Sequence, residues 1–160
     1  METTTRALNL TVVDYAPVHR AGCLDVFDSN VPEFFSESER EEFFRFLDCV
    51  PGRYGVVVDG DGHVVGCGGI AASLSDPRGA DLTWGMIHQT LHRCGIGRIL
   101  TRERLGWAQQ MPNVSTVYLN TSHLTEEFYQ KFGFRTVKRI PNGYREGLHR
   151  CDMECTMPNT

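Results

Sequence analysis

Apolar residues recur along the chain with two periods, one near two and one near 3.6, and these lay out its elements in order. The β-branched run Thr11, Val12 and Val13 closes a first predicted strand, Leu8 to Val13. Pro17 suits a first helical turn, and Val18, Leu24 and Phe27 follow at helical spacing in a helix ending near Asn30 and Pro32. Ser36 and Glu39 stand at capping-box spacing ahead of a second helix. Its apolar stripe is Phe43, Phe44, Leu47 and Val50, and its other face is acidic. Gly55 to Val58 and His63 to Ala71 read as strands joined by the turn Asp59-Gly60-Asp61-Gly62. The turn LSDPRGAD leads to a strand, Leu82 to Ile87, where Gly85 invites a bulge or a close backbone approach. A long helix follows, with Ile96, Ile99, Leu100, Trp107, Ala108 and Met111 on one broad face, Glu103 out of pattern on it, and Pro112-Asn113 ending it. Val114 to Asn120 is a strand, Thr125 to Phe132 a short helix, Arg135 to Ile140 a strand, and PNGYREG a turn. The last strand, Leu148 to Met157, alternates: Cys151, Met153, Cys155 and Met157 lie on one face, Arg150, Asp152, Glu154 and Thr156 on the other.

That order predicts an α/β fold around one central mixed, mostly antiparallel sheet flanked by about four helices. The middle strands, joined by short turns, pair antiparallel. The helix-linked strands Leu82–Ile87 and Val114–Asn120 are expected to be parallel neighbours. A chain of 160 residues suffices for one domain with one core, residues 1–160.

Composition narrows the function. A net charge of -4 provides no basic field, so nucleic acid is not an expected partner, while a cationic amine is compatible. No apolar run approaches the roughly 18 residues of a membrane span, and METTTRALNLTVV has no signal-peptide core, so a cytoplasmic protein without a membrane partner is expected. The six cysteines form no C-x-x-C pair and read as free thiols. Cys151 and Cys155 lie about 13 Å apart on a strand, too far to share a zinc ion. His88, His92 and Cys94 fall in a loop that has another explanation, so no metal is expected. The DGDG turn lacks the later carboxylates and closing Glu of a calcium loop. GCGGI lies inside a strand with no helix after it, which excludes a dinucleotide fingerprint.

The chemistry concentrates in HRCGIGR. Gly95 and Gly97 stand at the entrance of the long helix, where the first N–H groups lack internal partners and the peptide dipoles leave partial positive charge. Flanked by Arg93 and Arg98, this helix start can hold a pyrophosphate. The glycine spacing resembles the (R/Q)-x-x-G-x-(G/A) acetyl-CoA signature of the GNAT superfamily of N-acetyltransferases, with His92 in place of Arg or Gln. LNTSHLTEEFYQKFGF, Leu119 to Phe134, resembles the family's second signature, N-x-x-A-x-x-F-Y-x-x-x-G-F. Phe128, Tyr129, Gly133 and Phe134 match; Ser122 replaces the usual Asn and Thr125 the usual Ala.

The element order matches that family, so the resemblance covers nearly the whole chain. It implies acetyl-CoA as cosubstrate, bound by the backbone of Met86, Ile87 and His88 and by the loop Arg93, Cys94, Gly95, Ile96, Gly97 and Arg98. Ser122 and Tyr129 would meet the pantetheine arm where the strands diverge. Acyl transfer to an amine needs a base, an oxyanion donor and a proton for the leaving thiolate. The Ile87 N–H fits the second task if Gly85-Met86 forms a bulge, and such a donor is worth about 3 kcal/mol. Tyr129 fits the third, since its phenol carries a proton it can donate. Glu33, between the first two helices, is the candidate base; the alternatives are a solvated loop carboxylate and a water chain. Phe34 and Phe35 either line the acceptor pocket or staple the second helix to the core. Two functions follow: an N-acetyltransferase acting on a small-molecule or peptide amine, and a non-catalytic CoA-binding sensor or interaction module. A homodimer is left open as the assembly.

Overall fold

The computed structural model describes residues 9–158, and the expected order of elements holds across them. The elements are β1 (Thr11–Asp14), α1 (Arg20–Ser29), α2 (Glu39–Asp48), β2 (Arg53–Val58), β3 (Val64–Ala72), β4 (Gly79–Ile87), α3 (Ile96–Gln110), β5 (Thr116–Ser122), α4 (Glu126–Gln130), β6 (Arg135–Arg145) and β7 (Leu148–Thr156). Leu8, where the first strand was expected to begin, lies outside the described residues. The strands form one sheet in the order β1-β2-β3-β4-β5-β7-β6. All neighbours are antiparallel except β4 and β5, which are parallel as the helix between them requires. No helix among the described residues is long and apolar enough to cross a membrane.

Helices α1 and α2 cover one face, burying Cys23, Val26, Phe27, Phe43 and Leu47 against Val56, Cys67 and Met86. Helix α3 covers the other face, with Trp107 and Ala108 packed on Ala80, Leu82 and Val117, and Ile96 and Leu100 on Val57 and Val65. Several details differ from expectation. The α2 stripe is Phe43, Phe46, Leu47 and Val50, because positions i, i+3, i+4 and i+7 share a helix face. Phe44 falls beside the stripe and is exposed, with the Arg20 guanidinium 4.1 Å above its ring. Helix α2 starts at Glu39, so only the reverse half of the capping box forms, with the Ser36 N–H donating to Glu39 Oε2 at 2.8 Å. Phe35 is a staple, 5.1 Å from Phe27. Strand β6 runs on through most of PNGYREG; its register shifts between Ile140 and Arg145, and the chain reverses only at Glu146-Gly147. Glu103 is exposed, and its neighbour Arg104 is the charged residue that enters the core, 2% exposed.

Cysteines 23, 67 and 151 are buried, Cys155 is half-buried, and Cys49 and Cys94 are exposed, all six as free thiols. Alkylation of the native protein followed by mass spectrometry should therefore label Cys49 and Cys94 first. Denaturing, non-reducing conditions should expose all six to the reagent.

Candidate functional site

The site begins with a divergence in the sheet. Strands β4 and β5 are paired only from Gly79 to Asp81 against Thr116 to Tyr118. Beyond Asp81 they separate, because β4 carries an extra residue. Gly69 opposes Thr83 and Cys67 opposes Met86, so Trp84 and Gly85 together face Gly68 alone. Trp84 takes up the strain at φ +36°, which places the bulge one residue before the expected Gly85-Met86. Leu82 faces the α3 side and Met86 the α1–α2 side, although in a regular strand they would share a face.

After the bulge, hydrogen-bond parity decides which backbone groups are free. The His88 N–H donates to Val65 O at 2.9 Å, so Ile87 and Gly66 form a pair that exchanges no hydrogen bonds. Both peptide groups of Ile87 therefore point away from β3, into the gap. Its carbonyl accepts from Asn30 Nδ2 at 2.9 Å and His92 Nε2 at 2.8 Å. Its N–H meets no acceptor among the described residues. Met86 faces Cys67 in the pair that exchanges bonds, with its side chain in the core, and the His88 N–H is spent on β3.

Three elements meet at the mouth of the gap. Gly95 enters α3 at φ +84°, a left-handed conformation that favours glycine, and a Cβ there would touch nothing within 4 Å. No side chain caps this end, and Ile99 is the first residue to bond back, to Gly95 O at 3.3 Å. The N–H groups of Ile96, Gly97 and Arg98 are thus unpaired among the described residues. Arg93, Cys94 and Arg98 are exposed around them, while the Ile96 side chain is buried. A Cβ on Gly97 would lie 3.2 Å from Phe128 on α4 and 3.8 Å from Ile87 on β4. Helix α4 also carries Tyr129, half-buried, its ring edge-on to Phe128 and Phe134. The Tyr129 hydroxyl bonds no described residue. Ser122 is buried at the end of β5, opposite Arg150, and its hydroxyl is likewise without a described partner.

The segment between α1 and α2 borders the same mouth. Glu33 is exposed and accepts from Gln89 Nε2 at 2.7 Å, while Ser29 Oγ accepts from the Gln89 N–H at 3.0 Å. Phe34 meets the His92 ring edge-on at 4.8 Å. His92, His88 and Cys94 do not converge: the His88 ring bonds Thr90 Oγ1 at 2.8 Å and the Cys94 thiol points to His92 O. From the opposite side the β6–β7 hairpin reaches over, with Arg145 donating to Pro32 O and the Tyr144 hydroxyl to Asn120 Oδ1 at 2.8 Å. Burial pushes the Tyr144 phenol up. Glu39, near enough to Tyr144 for their charges to interact, is also held above the usual carboxylate range, chiefly by desolvation.

Asn30 is a feature that sequence reasoning treated only as a helix end. It is 1% exposed; its Nδ2 is fixed by Val26 O and Ile87 O, and its Oδ1 is buried with no partner among the described residues. Asn30 thus holds the Ile87 carbonyl and leaves the Ile87 N–H open to a ligand that carries amide groups. The pantetheine arm of CoA has such amides, and the open helix start suits its pyrophosphate.

The family model described as acetyltransferase (GNAT) family matches residues 23–134. No curated protein matches the chain significantly. Among solved structures, a GNAT-family protein from Desulfovibrio desulfuricans is 17% identical, with 92% of this chain and 98% of that one covered at a TM-score of 0.78. A GCN5-related N-acetyltransferase from Kribbella flavida is 19% identical over 92% and 98% of the two chains, at 0.75. An aminoglycoside 6'-N-acetyltransferase in complex with coenzyme A is 19% identical over 94% and 99%, at 0.72. At these identities the likeness is one of fold.

Proposed function

The chain belongs to the acetyltransferase (GNAT) family, and from that premise we propose that it transfers an acetyl group from acetyl-CoA to a primary amine of a small molecule or peptide, by direct attack in a ternary complex. The observation that carries this reading is the Ile87 N–H, left without an acceptor among the described residues and turned into the gap between β4 and β5. Acetyl-CoA supplies the activated thioester. The unpaired amides of Ile96, Gly97 and Arg98, with Arg93 and Arg98, would hold its pyrophosphate, and Cys94 and Gly95 would border it. Ser122 would bond the pantetheine amides across the gap.

Attack by the amine nitrogen forms the N–C bond, and negative charge collects on the carbonyl oxygen. The Ile87 N–H is fixed in advance to receive that charge. The C–S bond then breaks, and Tyr129 returns a proton to the sulfur. The proton lost by the amine leaves toward Glu33, the carboxylate held at the mouth by Gln89, or through a water chain.

A panel of aliphatic, aminoglycoside, aromatic and peptide amines, incubated with acetyl-CoA while thiol release is followed, tests the reading. Amine-dependent release with a matching acetylated product is expected. Tight CoA binding with no acetylation of any amine would replace the enzyme with a CoA-binding module. Tighter binding of NADH or ATP than of CoA would overturn the cosubstrate as well.

A further inference from the structure

Arg104 is the one buried cation among the described residues, and it lies directly against the bulge. At 2% exposure it has no carboxylate within ion-pair distance among those residues. Burying a lone guanidinium is costly, so its contacts need a reason. Its Nε donates to Gly69 O at 3.1 Å and one terminal nitrogen, Nη2, to Thr83 O at 3.2 Å. Gly69 and Thr83 are the last paired residues before the bulge. The guanidinium therefore bonds one carbonyl from each strand at the point where the extra residue breaks the ladder.

The space for it is made by missing side chains. A Cβ on Gly68 would lie 3.1 Å from Arg104 Nε, and one on Gly85 would lie 2.4 Å from Nη1. Those are the partner residue and the second residue of the bulge. From the other face the buried Tyr54 hydroxyl donates to Trp84 O at 2.8 Å. Farther along, Asn30 and His92 occupy Ile87 O. Side-chain donors thus take the carbonyls of Thr83, Trp84 and Ile87, and the Ile87 N–H remains for a ligand.

We propose that Arg104 is a positioning residue for acyl transfer: with Tyr54 on the opposite face, it clamps the Trp84–Gly85 bulge and so aims the Ile87 N–H at the thioester carbonyl. The proposal rests on the acetyl-CoA reading above. Lysine cannot replace arginine here, because one ammonium lacks the planar fork that spans two carbonyls. Methionine fills similar volume without charge, an exchange that buried ionic groups often tolerate.

The test uses the full chain and three variants: Arg104→Met, Arg104→Lys and Tyr54→Phe. The primary readout is the infrared carbonyl stretch of bound [1-¹³C]acetyl-CoA, which a hydrogen bond to the carbonyl lowers. In Arg104→Met the band should return toward its frequency in water, the preference for acetyl-CoA over CoA should fall about threefold or more, and CoA affinity should stay within about twofold. On an amine from the panel, kcat should fall about 100-fold with little change in KM, the scale of misplacing a catalytic group by about 1 Å. Arg104→Lys should behave like Arg104→Met, and Tyr54→Phe should show a smaller shift in the same direction. If Arg104→Met does not fold, Arg104→Gln, which keeps one donor, replaces it under the same criteria.

An unshifted band in a folded, CoA-binding Met or Gln variant would overturn the proposal, and so would a Lys variant indistinguishable from wild type. If wild-type protein binds no acetyl-CoA, the functional reading fails, and hydrogen exchange on the ligand-free protein still judges the clamp. Faster exchange at residues 84–87 in Arg104→Met supports it; unchanged exchange overturns it.

Discussion

Gly97→Asp is expected to weaken acetyl-CoA binding by about 100-fold or more while leaving the fold intact. Gly97 is the second residue of α3, where its N–H is one of three with no partner among the described residues. An acidic residue in a first helical turn is favourable to the helix, so the substitution should not unfold it. For a pyrophosphate the effect reverses. Two like charges 4 Å apart repel by about 4 kcal/mol at an effective dielectric constant near 20, and solvent at this open end screens part of that. About 1.4 kcal/mol corresponds to tenfold, so even a screened repulsion reaches about 100-fold. Gly97→Ala separates charge from shape. Its methyl would lie 3.2 Å from the Phe128 ring, which must give way by a few tenths of an ångström, and a loss below tenfold is expected. Titration calorimetry with acetyl-CoA on both variants decides the matter, and undiminished affinity in Gly97→Asp would remove the pyrophosphate from this helix start.

The legible parts of this site are those whose signals are local. Strand and helix periods, the Asp-Gly turns and the glycines at the head of α3 lie within a few residues of what they specify. The order of elements and the position of the loop could therefore be read from the chain. Gly85 also marked the bulge, although Trp84 carries the positive φ. Hydrogen-bond parity was not legible, because it depends on the register of the neighbouring strand. Ile87 is free while Met86 and His88 are not only because β3 pairs with β4 as it does.

Arg104 was hidden for a different reason. An arginine in an amphipathic helix ordinarily faces water, and here the helical stripe was read around Glu103, one position away. Its trace lies in other segments: Gly68 and Gly85, in adjacent strands, lack the side chains that would fill the space it occupies. Glycines in facing strands under a helix are a signal that a bulky group from that helix lies between them. The GCGGI run, which fits no dinucleotide loop, has this packing role at Gly68. Asn30 was similarly masked, since Asn commonly ends a helix and its bond to Ile87 O spans 57 positions.

Tyr129→Phe is expected to slow acyl transfer by about 100-fold with little change in CoA affinity. The tyrosine ring is held edge-on between Phe128 and Phe134, at 5.0 and 5.9 Å, and the substitution keeps every one of those contacts. The hydroxyl it removes bonds no described residue, so no internal partner is orphaned and the helix should remain as stable as before. What disappears is a proton donor on the element that meets α3 at Gly97. A positioned general acid contributes about 100- to 10,000-fold; the lower end applies here because a thiolate is already a tolerable leaving group. Since the interaction belongs to the transition state, kcat and kcat/KM should fall together. A rise in KM with kcat unchanged would assign Tyr129 to binding instead. Full activity in the Phe variant, measured on an amine that the panel returns, would exclude it from the mechanism and leave the leaving thiolate to solvent.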